Sequence, residues 1–159
     1  MADEGSAQSA NTWPLQEFHF AVEIGGGPSD AADASFQEVS GLEANIEPEM
    51  LSEGGENRFQ HKLPTSVKHS NLLLKRGIAP KLSPLVIWCK EVFEGGFATA
   101  IKPKDLQVAL LNQKSIPLCV WSVTNAYPVK WSVGEFGASK NELAIEIIEL
   151  AYSELNRIT

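Results

Sequence analysis

The chain has 159 residues, room for one domain but not for a catalytic domain beside a separate specificity domain. Hydrophobic residues make up 43% of it and it holds only 12 glycines, which excludes a disordered or collagen-like chain. Thirteen basic against 20 acidic side chains give a formal charge of −7, which opposes nonspecific binding to nucleic acid or to an anionic membrane.

Residues 1–12, MADEGSAQSANT, are small and acidic and hold nothing to bury, so they read as a flexible arm, with a single domain over 13–159 beginning at Trp13-Pro14. No secretory signal and no membrane span are expected, since no apolar run approaches the roughly 18 residues a span requires. Phe18, Phe20, Val22 and Ile24 alternate with His19, Ala21 and Glu23, a strand period that Gly25-Gly26-Gly27-Pro28 ends. A second strand pattern over Phe36–Val39 is interrupted at Ser40-Gly41 in the manner of a bulge, before the acidic stretch Leu42–Met50. Residues 51–65, LSEGGENRFQHKLPT, carry no clear period and read as a long loop, the kind that tends to be functional. Val67–Arg76 reads as a strand with both faces partly covered.

The clearest helix starts at Ser83, an N-cap residue, with Pro84 at N1, where its missing N–H is harmless. Leu85, Trp88, Cys89 and Val92 form one apolar stripe, and Gly95-Gly96 supplies the stop. Leu106–Leu111 and Ile116–Thr124, joined by Asn112-Gln113-Lys114-Ser115, predict a hairpin, and Tyr127–Trp131 a short extended piece with Pro128 at an edge or bulge. Asn141–Tyr152 fits two patterns. Leu143, Ala144, Ile147, Ile148, Ala151 and Leu155 make a helical stripe, which periodicity favours, while Leu143, Ile145 and Ile147, then Ile148, Leu150 and Tyr152, make a strand bulged at Ile147-Ile148.

Chemistry finds little support. His19, His61 and His69 form no paired metal-ligand spacing, and Cys89 and Cys119 sit in apolar stretches as buried free thiols of a reducing compartment, so no metal and no cofactor are expected. There is no GxSxG elbow, and neither glycine-rich segment has the ending of a phosphate cradle. Glu142, Glu146 and Glu149 lie near one another, but without an accompanying Arg, His or amide cluster they read as a solvated or subunit-facing acidic strip. Lys62, Lys68, Lys75, Arg76 and Lys81 face, in charge, the acidic Glu43, Glu47, Glu49 and Glu53, a dipolar arrangement suited to stacking of identical copies.

The motifs FQEVSGL at 36–42, EGGENRFQHKLP at 53–64, KHSNLLLKRG at 68–77, the single helix with Trp88, VWSVTNAYPVKWS, and ASKNELAIEIIELAY closely resemble the tail-tube proteins of contractile phages and of phage-like contractile injection systems, over residues 15–155. The acidic arm and the insertion Pro28–Ala34 depart from the pattern. The resemblance implies a mainly β fold, two packed antiparallel sheets forming a small barrel or sandwich with one flanking helix. It also implies that six copies assemble into a ring with a continuous luminal β-barrel and that the rings stack into a hollow tube. It implies that the C-terminal NE-x-AIE-x-x-ELA segment is a strand, overriding the helical period. It implies no enzymatic activity, and partners of several kinds: further copies of the chain, a sheath protein, baseplate, hub and tube-cap proteins, and effector or DNA cargo in the bore, with no membrane anchor. Such a chain is made in the bacterial cytoplasm and incorporated into a particle.

On this reading segment 50–63 contacts a neighbouring ring or subunit through Met50, Leu51, Glu53, Arg58, Phe59 and Lys62. Lumen-facing strands come from residues 36–49, 66–76 and 104–124, with Glu43, Asn45, Glu47, Lys68, Ser70 and Asn71 as bore candidates. An open antiparallel sheet leaves unpaired N–H and C=O groups at its edges, which a ring of identical neighbours would complete. Two alternatives stand beside the tube subunit: an initiator ring at the baseplate of the same machine, and a monomeric β-barrel binder or hydrolase with a carboxylate site around Glu142–Glu149.

Overall fold

A computed structural model describes residues 18–25, 33–55, 58–78, 83–134 and 144–159. The expected arm, Trp13-Pro14, most of the Gly25–Pro28 turn and of the 28–34 insertion, Lys81 and Glu142 lie outside them. The described chain runs β1 (His19–Ile24), β2 (Asp33–Phe36), β3 (Glu38–Ser40), β4 (Ala44–Leu51), β5 (His61–His69), β6 (Leu72–Gly77), α1 (Pro84–Glu94), a 3-10 turn (Gly96–Ala98), β7 (Lys104–Leu111), β8 (Pro117–Val133), β9 (Ile145–Ala151) and β10 (Glu154–Arg157).

Eight of these strands form one antiparallel system in the order β2-β1-β7-β8-β9-β6-β3, with β10 on β8. Strand β8 is long enough, at 17 residues, to serve two layers. Its first half pairs with β7 and β10, and its second half with β9. The change of partner falls at Asn125, held at φ 53 with its N–H on the Asp105 carboxylate at 3.0 Å. Asn tolerates this left-handed conformation better than branched residues do, so the strand bends there without a glycine.

The two ends of the path, β2 and β3, are the same piece of chain, separated by Gln37 alone. Phe36 lies opposite Phe20 of β1, and the next N–H, that of Gln37, bonds to Lys75 of β6 at 2.9 Å. The barrel therefore closes within one chain. The two ends of the path thus meet in one stretch of chain, and the open strand edges lie elsewhere, in the β4–β5 ribbon.

Inside, Val22, Phe36, Leu72, Leu74, Leu106, Val108, Val123, Ile148 and Leu150 are almost solvent-free. Burying each such side chain stabilises by about 1.5–3 kcal/mol. Helix α1 closes one side with Leu85, Trp88 and Cys89 of the predicted stripe; its fourth member, Val92, is half-buried, and Val86, outside the stripe, is buried too. Ser83 is its N-cap by backbone, but its hydroxyl makes no cap bond and instead accepts from Arg76 Nη2 at 2.9 Å. Cys119, expected to be buried, is half-buried, with Arg157 Nη2 3.2 Å from its sulfur.

The C-terminal segment is a strand and not the helix its period favours. It carries no bulge: Ile145 to Leu150 pair residue by residue with β6. The irregularity belongs to β8, between Pro128 and Lys130, where a bulge had been predicted for Pro128. As a result Glu146, Ile148 and Leu150 point inward, and Ile147 does not. The predicted Val67–Arg76 strand is broken at Ser70-Asn71 into β5 and β6, and Ser40-Gly41 is a corner between β3 and β4 and not a bulge.

Candidate assembly surface

Strands β4 and β5 pair with each other and with nothing else, forming a ribbon that leaves the barrel. Every residue of β4 is exposed, as is every residue of β5 but His69. Ile46, Met50, Leu51, Phe59, Leu63 and Val67 are each about half exposed, between 46% and 57%. Six half-exposed apolar side chains on a water-facing ribbon make it a candidate contact surface. Of the expected loop 51–65, Leu51 and residues 61–65 are thus strand.

The ribbon's root is anchored by polar contacts. Tyr152 donates from its hydroxyl to Gly41 O at 2.7 Å, and its ring lies 5.2 Å from that of His69, whose Nδ1 is 3.2 Å from Glu43 O. Ser70 donates to the Glu43 carboxylate, and Asn71 Nδ2 to Glu149 Oε1 at 2.7 Å. Burial raises the pKa of Tyr152 above its ordinary 10.0, an effect the hydrogen bond near Glu43 partly offsets. Gly41 itself has φ +86, and a Cβ there would stand 1.9 Å from Asn71 O. Only glycine fits this corner.

The predicted site residues separate into two groups along the ribbon. Glu43, Asn45, Glu47, Lys68, Ser70 and Asn71 gather at the root, where Asn45 faces Lys68 across the ladder and Lys68 donates to the Glu47 carboxylate. Met50, Leu51, Glu53, Arg58, Phe59 and Lys62 gather at the far end, with Met50 opposite Lys62 and the Phe59 ring edge-on to His61 at 5.2 Å. Acidic β4 and basic β5 are thus adjacent strands, and part of the sequence's charge dipole is consumed within the ribbon.

Of the acidic strip near the C-terminus, Glu149 is on the outer face, while Glu146 is 3% exposed and bound by Arg76 Nε at 2.9 Å and Trp131 Nε1 at 2.8 Å. Arg76 also lies 4.8 Å over the Phe36 ring, beside the seam that closes the barrel. Glu146 and Arg76 thus form a buried ion pair. No group of three His, Cys, Asp or Glu that could hold a metal occurs among the described residues, and no described helix is long and apolar enough to cross a membrane.

Sequence reasoning missed a second surface. A groove of about 950 Å³ lies between α1 and the segment leading into β7, lined by Ile87, Trp88, Val92, Ile101, Lys102 and Lys104 among others. A cue was available, since Ile87 and Phe93 fall off the helix stripe that packs inward.

A family model described as T4-like virus tail tube protein gp19 matches residues 16–156. Among solved structures, a chain of the 6-fold symmetrised cryo-EM structure of the anti-feeding prophage baseplate matches with a TM-score of 0.76 at 28% identity, covering 92% of this chain and 97% of that one. A chain of the sheath-tube complex of the PVC extracellular contractile injection system in the extended state matches at 0.74 and 23% identity, over 95% and 98% of the two chains. A chain of the anti-feeding prophage tube-terminating cap matches at 0.74 and 23%, over 99% of each. No curated protein matches.

Proposed function

Because this chain belongs to the T4-like virus tail tube protein family, we propose that it is an inner tube subunit of a contractile injection system, its hexameric rings stacking into a hollow tube that sheath contraction drives through a target envelope. The observation that carries this reading is the β4–β5 ribbon. A barrel already closed within one chain has no need of it, yet it holds six half-exposed apolar side chains out in water. Neighbouring copies are the natural cover for such a surface.

The two groups on the ribbon then take different roles. The far end, with Met50, Leu51, Glu53, Arg58, Phe59 and Lys62, makes contact with the next ring or subunit. The root, with Glu43, Asn45, Glu47, Lys68, Ser70 and Asn71, faces the bore, where carboxylates of a chain carrying −7 repel an acidic cargo such as DNA and let it slide. The sheath, the baseplate and hub, and the cap are the partners at the outer wall and the two ends. We assign no catalytic step: the inward carboxylate Glu146 is buried and bound by Arg76 and Trp131.

Negative-stain images of the purified chain, with and without its sheath partner, test the proposal. Sixfold rings or filaments of uniform bore are expected. Single rings that never stack would point to an initiator ring, and a particle of about 17.3 kDa that stays single at high concentration would overturn the assembly reading altogether.

A further inference from the structure

The groove beside α1 has features that burial within one chain does not explain. One wall is the helix, with Ile87 42% exposed. The other is the extended segment Ala100–Pro103, exposed along its length, in which the backbone N–H groups of Ala100, Ile101 and Lys102 and the segment's C=O groups have no backbone partner among the described residues. Beneath them lies Trp88, 2% exposed, with its Nε1 donor unpartnered. Buried donors are ordinarily satisfied. Lys104 stands 5.5 Å over the Trp88 ring, and neither it nor Lys102 has an anionic partner among the described residues. Glu91 and the Lys90–Glu94 pair complete the rim, so the groove is net positive in a chain that is net negative.

An unpaired extended backbone beside an apolar trough is a template for one added strand. The strand it lacks should be short, acidic and partly apolar, and should bring backbone acceptors. The same chain displays such a strand. At the far end of β4, beyond Pro48 with its missing N–H, Glu49, Met50 and Leu51 present a free edge, since β4 is bonded to β5 on one side alone. Glu49 has no cationic partner among the described residues, and Met50 is 55% exposed. We infer that the groove between α1 and Ala100–Pro103 receives the Glu49–Leu51 edge of β4 from a second copy of the chain. The inference rests on the assembly reading above and names the receiving surface. Three residues meet three in antiparallel register: Ala100, Ile101 and Lys102 stand opposite Leu51, Met50 and Glu49. The flexible Met50 side chain packs beside Ile101 on one face of the added strand, and Glu49 reaches Lys102 and Lys104 on the other. Two different patches of one chain meet in this contact, so it propagates head to tail, into a closed ring or along a stack.

Cysteine trapping tests the contact. Cα atoms of directly opposed residues in antiparallel strands lie about 4.5–5.5 Å apart, within the reach of a disulfide. One preparation carries Met50→Cys and another Ile101→Cys, both in a Cys119→Ser background. Mixed under assembly conditions and oxidised, they are expected to give a covalent dimer that neither gives alone. In a parallel experiment Lys102→Glu raises the concentration needed for half-assembly about tenfold, and Glu49→Lys in the same chain restores it. Rings or tubes that form normally without the crosslink, and that tolerate Lys102→Glu, would overturn this contact while leaving the tube reading intact. An unsubstituted chain that remains monomeric would overturn both.

Discussion

Arg76 and Glu146 have side chains only 5% and 4% exposed and joined at 2.9 Å, so each is tolerable inside the barrel because the other is present. Replacing Glu146 with Ala leaves a buried guanidinium uncompensated and is expected to cost about 3–5 kcal/mol, read as a lower urea midpoint. Arg76→Met with Glu146→Leu, which removes both charges and keeps the volume, should recover most of that loss. Tyr152 supplies a pH signature. Its folded pKa is raised by burial, so the fold favours the neutral hydroxyl. The corresponding stability is complete below pH 10 and is lost as pH rises through the higher folded value. Thermal midpoints between pH 9 and about 12 should fall more steeply for the parent chain than for Tyr152→Phe. Neither residue's role was legible in the sequence. Counting by twos along 141–152 assigns the isoleucines to the core and the glutamates to water. The true phase of the strand places Glu146 inside, because Arg76, 70 positions away, arrives opposite it.

At the scale of the element, the ribbon is the part of the fold that stability does not explain. Met50 and Phe59 are each 55% exposed, so Met50→Asp with Phe59→Asp should leave the urea midpoint within about 0.5 kcal/mol of the parent while abolishing assembly. Tubes of normal length from this variant would exclude the far end of the ribbon as a contact. Gly41→Ala acts differently, because a methyl group at that corner meets Asn71 O. Its expected effect is a ribbon detached from its anchors, seen as loss of the Tyr152 environment in near-ultraviolet circular dichroism. The helix was largely legible at its stripe, since one of its faces is buried and the other is not: Leu85, Trp88 and Cys89 are buried as expected, Val92 is half-buried, and Val86 is buried beside them. The ribbon was half missed for the opposite reason. With both faces in water, β4 and the first residues of β5 have no inside, and hydrophobic alternation has nothing to record.

For the molecule as a whole, a barrel that closes on itself and a ribbon that does not should differ in how they open. Amide exchange in the dispersed chain is expected to be slow in β1, β6, β7, β8 and β9 and fast throughout β4 and β5, with protection of the ribbon and of Ala100–Lys102 appearing on assembly. Ribbon amides already protected in the dispersed chain would contradict the role given to them. The sequence by itself determined the mainly β class, the single flanking helix and most of its packed stripe, and the hairpin at Asn112–Ser115, because each is written in neighbouring residues whose pattern reports local burial or turn chemistry. Tertiary structure alone decided the phase of β9, the closure through Gln37, the Arg76–Glu146 pair and the groove under Ala100–Pro103. Those depend on segments remote in sequence meeting in one register, and a local period carries no information about what stands across the ladder.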